Sequence, residues 1–317
     1  MATVETLRGP IDTAQLGTTL MHEHVFVLSD GVPEQFPSVF DEAAHTEPAR
    51  AKLQALSEAG VHTIVDLTVM GNGRNIPRVL RVASDLPINI VAATGLYTYD
   101  QVPRYFHSRS EDHMAELFVK DITEGIQGTN VKAAILKCAT DEPGVKRGVE
   151  KVLRAVARAH RRTGVPISTH THAPTKRGLD QQKIFNEEGV DLGRVVIGHS
   201  GDSEDLDYLE ALMKAGSYIG MDRFGVDVYL TTEKRVAVIA KLCEKGYADK
   251  MVLAHDASCH IDWFPGEMLA PAMPNWHFRH ISDDVLPALR QAGVTDEQIE
   301  QMMIVNPRRI FEHGGGY

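Results

Sequence analysis

Residues 19–28, "TLMHEHVFVL", read as a buried strand into which two histidines and a glutamate have been set. Side chains alternate faces along a strand, so His22 and His24 share one side and Glu23 takes the other. Imidazole is a common ligand of divalent metals, and two rings on one face supply half of a four-ligand site. A pair of hydrogen-bonded core histidines would give the same pattern, so the rest of the chain has to decide.

Outward from this stretch, short apolar, β-branched runs recur, each followed by a longer segment of helical period. That alternation is the pattern of parallel βα units. After 19–27 the strand candidates are "VHTIVDLTV" at 61–69, "INIVAATGLY" at 88–97, "VKAAILKC" at 131–138 and "VPISTHTH" at 165–172. "RVVIGH" at 194–199, "SYIGMD" at 217–222 and "KMVLAHD" at 250–256 complete the set. Between them lie segments such as "RGVEKVLRAVARAHRRTG", where Val149, Val152, Leu153 and Val156 fall on one face and Gly164 supplies a stop. Eight such units predict an α/β fold, the closed (β/α)8 TIM barrel. No linker or shift of composition divides the 317 residues, which predicts a single barrel domain over 1–317. The tail "VTDEQIEQMMIVNPRRIFEHGGGY" predicts two short helices packed under the barrel. Thr295 opens the first, with Gln298 three residues on, and Asn306 before Pro307 opens the second.

Composition narrows the partners. Lys and Arg total 33 against 43 Asp and Glu, a formal charge of -10 with no basic run, which argues against nucleic acid. There is no charged leader before an apolar segment and no run of about 18 apolar residues, so the expectation is a soluble cytoplasmic protein with no membrane partner. Cys138, Cys243 and Cys259 are too scattered for a disulfide framework or a C-x-x-C metal site.

Polar residues out of place in buried strands gather at the predicted C-terminal ends. His22 and His24 lie on the first strand, Lys137 ends the fourth, His170 is on the fifth, His199 ends the sixth and Asp256 ends the eighth. Taken singly, a strand lysine is ordinarily ion-paired and a strand-end aspartate ordinarily caps the next helix. In a (β/α)8 barrel that end carries the active site, so six residues distant in sequence meet at one rim. Four histidines, an aspartate and a lysine suit two divalent ions of the zinc, cobalt, manganese or iron kind, with three protein groups apiece if one ligand bridges. An ammonium beside two dications is strongly repelled, so Lys137 has to lose its proton. The neutral amine can take up CO2 to form a carbamate, whose two oxygens would bridge the metals. With a bridging hydroxide and the aspartate, the charges then sum to about +1, which would polarise a substrate.

The "HEH" of the first strand, the strand lysine, the two later histidines and the final aspartate together resemble the amidohydrolase superfamily. More narrowly, "TLMHEHVF", "ILKCATDE", "PISTHTHA", "VVIGHSGD", "GMDRFGVD" and "NPRRIFE" resemble the phosphotriesterase-like lactonases of the phosphotriesterase family, over nearly the whole chain. The resemblance implies that His22, His24 and Asp256 hold one metal and His170 and His199 the other, with carboxylated Lys137 and a hydroxide between them. By position, Tyr97 resembles the tyrosine whose hydroxyl reaches the metal site in these lactonases, and Arg223 resembles the arginine at the pocket mouth. On the residues alone, Tyr97 is equally a half-buried aromatic and Arg223 a surface cation. The connection after the eighth strand, "ASCHIDWFPGEMLAPAMPNWHFRHIS", runs to about 26 residues, and uninterrupted loops of that length are usually functional or disordered. Its aromatic and methionine content argues for order, with Trp263, Phe264 and Met268 as an apolar wall for substrate and Trp276 packed on the barrel.

The implied activity is hydrolysis of N-acyl homoserine lactones and related lactones, that is quorum quenching, with weaker promiscuous phosphotriesterase activity. Asp256, Tyr97 and Arg223 would do the catalytic work, and the family suggests a homodimer. A primary phosphotriesterase (aryldialkylphosphatase) is the near alternative. A non-catalytic binder of acyl lactones would need no proton shuttle such as Asp256. A metal-dependent nuclease wants a basic groove. A Schiff-base aldolase using Lys137 would leave four histidines without a role.

Overall fold

The computed structural model describes residues 2–265, 268, 271–312 and 314–317. A short antiparallel hairpin, β1 (Thr3–Thr6) with β2 (Gly9–Asp12), precedes the barrel. Then β3 (Thr19–Val27), β4 (Thr63–Asp66), β5 (Asn89–Gly95) and β6 (Ile135–Thr140) pair in parallel and in sequence order. They are followed by β7 (Ile167–Thr171), β8 (Val195–Ile197), β9 (Tyr218–Met221) and β10 (Met251–Leu253). A further parallel strand, β11 (Ser258–Ile261), lies on the free edge of β3. Between β10 and β11 the Asp256 N–H donates to the His22 carbonyl at 3.0 Å, and the His24 N–H donates to the Ala257 carbonyl at 2.9 Å. The chain leaving β10 thus bonds back to β3, and the sheet closes into the expected (β/α)8 barrel.

Strand periodicity sorts the apolar residues into two cores. Met21, Val65, Val91, Ile135, Val196 and Val252 belong to one cluster, which fills the barrel and is sealed below by Leu16, Ile310 and Phe311. Their strand neighbours Ile64, Ile90, Leu136, Ile197 and Leu253 belong to the other, between the sheet and the helices. Burying each such side chain contributes about 1.5–3 kcal/mol, so both faces of every strand hold the barrel together. The helix Arg147–Thr163 buries Val149, Val152, Leu153 and Val156 as its pattern predicts. It ends at Gly164, whose φ of 77° and close approach to the Gly315 carbonyl leave no room for a Cβ. Among the described residues, no helix is long and apolar enough to cross a membrane.

Every barrel strand after the first is shorter than the sequence reading, and three differences bear on the site. The fourth barrel strand starts at Ile135 rather than 131, because the Ala133 N–H is spent on the Asp121 carbonyl before the ladder begins. Lys137 therefore sits in mid-strand. The eighth stops at Leu253, short of 256, because the backbone N–H groups of His255 and Ala257 turn to the Glu23 carboxylate. The long connection is not uninterrupted, since β11 occupies its start; its residues 266, 267, 269 and 270 lie outside the described residues.

In the tail, Thr295 and Gln298 form the capping box. The second helix is not a separate element, because Gln301–Val305 continue as a π-helical stretch into Asn306–Phe311. Asn306 caps nothing. Its buried amide donates to the carbonyls of Ala248 at 2.8 Å and Met251 at 2.7 Å, tying the tail to the base of β10. Asn306→Ala should leave both carbonyls without a donor and cost about 2–4 kcal/mol, measured as the loss of stability in chemical denaturation. A loss below about 1 kcal/mol would mean that these carbonyls find other partners.

Candidate functional site

A cavity of about 330 Å³ opens at the C-terminal ends of the strands. His22, His24, Lys137, His170, His199 and Asp256 all line it, together with Tyr97, Arg223, Trp263 and Phe264. The first strand reaches it through a bulge. β3 pairs Leu20 with Ile64 but Glu23 with Asp66, so one extra residue is accommodated between them. Met21 joins the apolar filling while His22 and His24 still face the cavity.

Each histidine is oriented from behind. Asp222, just past β9, accepts from His22 Nδ1 at 3.1 Å through Oδ2 and from His199 Nδ1 at 2.7 Å through Oδ1. Both hydrogens lie on Nδ1, so both Nε2 lone pairs face inward, and the two rings stack 4.7 Å apart. The Thr68 hydroxyl donates to Asp66 at 2.5 Å, leaving its oxygen to accept from His24 Nδ1 at 2.8 Å. His24 thus also presents Nε2, 3.2 Å from Asp256 Oδ1. His170 is reversed. Its Nε2 donates to Asp141 at 2.7 Å, and the bare Nδ1 turns to the Tyr97 hydroxyl at 3.2 Å.

Burial pushes His22 and His199 below the usual histidine range and His170 down to about 4, so these rings are neutral and their lone pairs available. Burial also favours the acid form of Asp222, but His199 and His22 outweigh it and hold the carboxyl well below its ordinary range. Lys137 Nζ lies 2.8 Å from His22 Nε2, and burial pushes its ammonium down to about 8. Free amine is therefore within reach of neutral pH.

The donor set suits a divalent ion. Around a tetrahedral zinc-type ion, donors at about 2.0–2.1 Å stand about 3.4 Å apart. His22 Nε2 and Asp256 Oδ1 are 3.4 Å apart, His199 Nε2 and Asp256 Oδ2 3.7 Å, and one ligand atom from each of the three lies within 4.8 Å of the others.

Three site residues stand in the left-handed region without being glycine: His199 at φ 56°, Arg223 at 63° and Asp256 at 55°. Each such residue costs about 1–3 kcal/mol and persists only where its surroundings hold it. Asp222 Oδ2 takes the His199 N–H at 3.0 Å. Arg223 donates to Asp256 at 3.2 Å and to Asp202 at 2.9 Å, and Asp202 is held in turn by the fully buried Arg235 at 2.7 Å.

Above this base, Tyr97 hydrogen-bonds Tyr99, and its ring lies 5.7 Å from that of Trp263. Met268 does not reach the cavity and is 62% exposed. The loop spends 258–261 on pairing with β3, and Met273 and Trp276 come back to the wall that Met268 was expected to form. Trp276 also donates its indole N–H to the His255 carbonyl at 3.0 Å, so it both packs on the barrel and lines the site. Sequence reading missed Asp222, Asp141, Thr68, Tyr99 and Asp202. Asp222 was visible as a second strand-end carboxylate beside Arg223, and Tyr99 stands two residues past Tyr97; the others carry no signal until the fold assembles them.

The model of the phosphotriesterase family matches residues 2–311. A protein of Mycobacterium tuberculosis named phosphotriesterase homology protein is 59% identical, with all of both chains covered. The aryldialkylphosphatase of Saccharolobus solfataricus is 43% identical over 95% of this chain and 96% of its own. The solved structure of the phosphotriesterase from Mycobacterium tuberculosis superposes with a TM-score of 0.97, covering 99% of this chain and 100% of the other. The chain belongs to the phosphotriesterase family and is a hydrolase of that family.

Asp222→Ala should release the Nδ1 anchors of His22 and His199 together and weaken metal retention by about 10- to 100-fold, read by competition with a chelator. Unchanged retention would show that the two rings are positioned without that carboxylate.

Proposed function

We propose that this phosphotriesterase-family chain is a lactonase, acting on N-acyl homoserine lactones and related lactones and more weakly on phosphotriesters. The observation that carries the reading is the composition of one cavity: a base of metal-suited donors beneath walls of Tyr97, Tyr229, Trp263, Phe264 and Trp276. In that reading His22, His24 and Asp256 would hold one ion and His170 and His199 the second, with Lys137, carboxylated by CO2, as a further ligand. When bound, two divalent ions of the zinc, cobalt, manganese or iron kind lower the pKa of water towards about 7 and polarise the substrate's carbonyl or phosphoryl oxygen.

The chain's own groups do the rest. Asp256 faces the ligand atoms with a carboxylate held well below its ordinary range; burial opposes this, and His22 and His199 outweigh it. Ionised at neutral pH and beside the ligand atoms of His22 and His24, it is placed to take the proton of the attacking water and deliver it to the ring alkoxide as the ester bond breaks. Tyr97, whose hydroxyl burial holds well above its usual range, stays protonated and donates to the developing oxyanion. Arg223 holds Asp256 Oδ2, leaving Oδ1 toward the histidines. The aromatic walls cover the acyl chain, each buried methylene contributing up to about 0.8 kcal/mol before ordering of chain and loop is subtracted.

Phosphotriesterase as the primary activity is the second reading, favoured by the likeness to the aryldialkylphosphatase of Saccharolobus solfataricus. The deciding measurement is kcat/KM for a four-carbon and a ten-carbon acyl homoserine lactone and a paraoxon-like phosphotriester, in wild type and Trp263→Ala. The lactonase reading expects the long chain to be preferred in wild type and most penalised in the variant. Preference for the phosphotriester, or no chain-length dependence, would overturn it.

Lys137→Ala should lower metal content and abolish turnover, with partial rescue by added short carboxylates. A variant that keeps both metals and a near-normal rate without rescue would remove the carbamate from the reading.

A further inference from the structure

The glutamate of the 19–28 stretch, fully buried, has no part in the chemistry described so far. Its Oε1 accepts the His255 backbone N–H at 2.8 Å and the His255 ring Nδ1 at 2.7 Å, and its Oε2 accepts the Ala257 N–H at 2.9 Å. The residue between those two N–H groups is Asp256, in the left-handed conformation. N–H groups flanking such a residue form a concavity suited to acceptor oxygens, and here those oxygens belong to a side chain of β3.

The His255 ring is fixed on both sides. Its Nε2 accepts the Ile281 N–H at 2.9 Å, so the hydrogen must be on Nδ1, where Glu23 receives it. The His255 carbonyl takes the Trp276 indole N–H at 3.0 Å. Ile281 and Trp276 both belong to the far end of the connection after β10, and Trp276 also walls the cavity. One buried carboxylate and one imidazole thus join β3, the turn bearing Asp256 and the returning end of the substrate loop. Neither Glu23 nor His255 lines the cavity.

We propose that Glu23 and His255 are a positioning pair: they lock Asp256 in its left-handed conformation and couple that conformation to the seating of the loop that carries Trp276. The proposal rests on the reading of Asp256 as the proton-transfer group. It gives the first stretch of the sequence two functions on opposite faces, donors toward the cavity and a clasp behind it. The clasp adds to the bond from the Asp256 N–H to the His22 carbonyl and to the contacts of its carboxylate with His24 and Arg223 in offsetting the cost of a left-handed aspartate.

The test uses metal-loaded full-length protein and three variants, Glu23→Gln, Trp276→Phe and Asp256→Asn, with kcat and KM on acyl lactones, metal retention against a chelator, and the thermal midpoint. Glu23→Gln keeps shape but offers one oxygen in place of two. It should fold, lower kcat by about 10- to 100-fold with KM nearly constant, and weaken metal retention, as displacement of a reacting group does. Trp276→Phe keeps the apolar wall and loses only the indole N–H, worth about a fivefold effect, and it should lower kcat alike for short- and long-chain lactones. A residue that only walls the pocket would instead raise KM for long chains alone, and that result would overturn the proposal. So would a folded Glu23→Gln with wild-type kcat and metal retention. If Glu23→Gln does not fold, Trp276→Phe decides by the same split. Asp256→Asn separates the two levels of the reading. A rate unchanged in that variant removes the proton-transfer role and the coupling with it, whereas a loss of about 10² to 10⁴ there, with the other two variants fully active, removes the coupling alone.

Discussion

A barrel filled with branched apolar side chains can carry a rim of buried ionisable groups only if each of them has a partner behind it. An unpaired buried charge costs several kcal/mol, and removing one partner of a buried pair typically costs about 3–5. The structure meets this with carboxylates placed one layer outside the cavity: Asp222 behind His22 and His199, Asp141 behind His170, and Asp66 behind His24 through Thr68. Asp222 is the most economical of these, because one group fixes the tautomers of two rings from different strands. The ring nitrogens that remain are turned to the cavity, and those of His22, His199 and His170 are neutral, as a divalent ion requires.

The same pairing holds the backbone where it would otherwise relax. His199, Arg223 and Asp256 each stand two or three residues past the end of a barrel strand and turn left-handed, with the side chain brought to the cavity. Short strands are part of this design. β8 and β10 have three residues each, and the polar residue that matters lies just beyond the last ladder bond. Fully buried Arg235 reaches the Asp222 carbonyl at 3.1 Å and Asp202 at 2.7 Å, so a single guanidinium indexes the histidine anchor and the partner of Arg223.

What was legible in the sequence follows from range. The eight βα units could be read from periodicity, and the six rim residues from their misfit with apolar strands, because both are local violations or repetitions of a pattern. "TLMHEHVFV" matched its strand residue for residue. The end of the eighth strand did not, because what stops it is a carboxylate 232 residues away in sequence, on β3. Asn306 looked like a helix cap, since Asn before Pro is a local start signal, yet its amide is drawn to strand-end carbonyls that only the fold brings near. Met268 failed for a related reason. Apolar character marks a residue as able to wall a pocket, but whether it does depends on how the loop spends its first residues, here on the β11 pairing.

Charge at the mouth bears on which substrates the cavity admits. Arg223, the guanidinium that lines it, is shared between Asp202 and Asp256, and both carboxylates outweigh burial in holding it charged and occupied. Lys137 lies against His22 at the base. The carboxylates behind the rim, Asp222, Asp202 and Asp141, on a chain of formal charge -10, make this a donor set that draws cations. Under the lactonase reading, the apolar walls are therefore what would favour an ester carrying apolar substituents, while the donors at the base would be answered by the ions they hold.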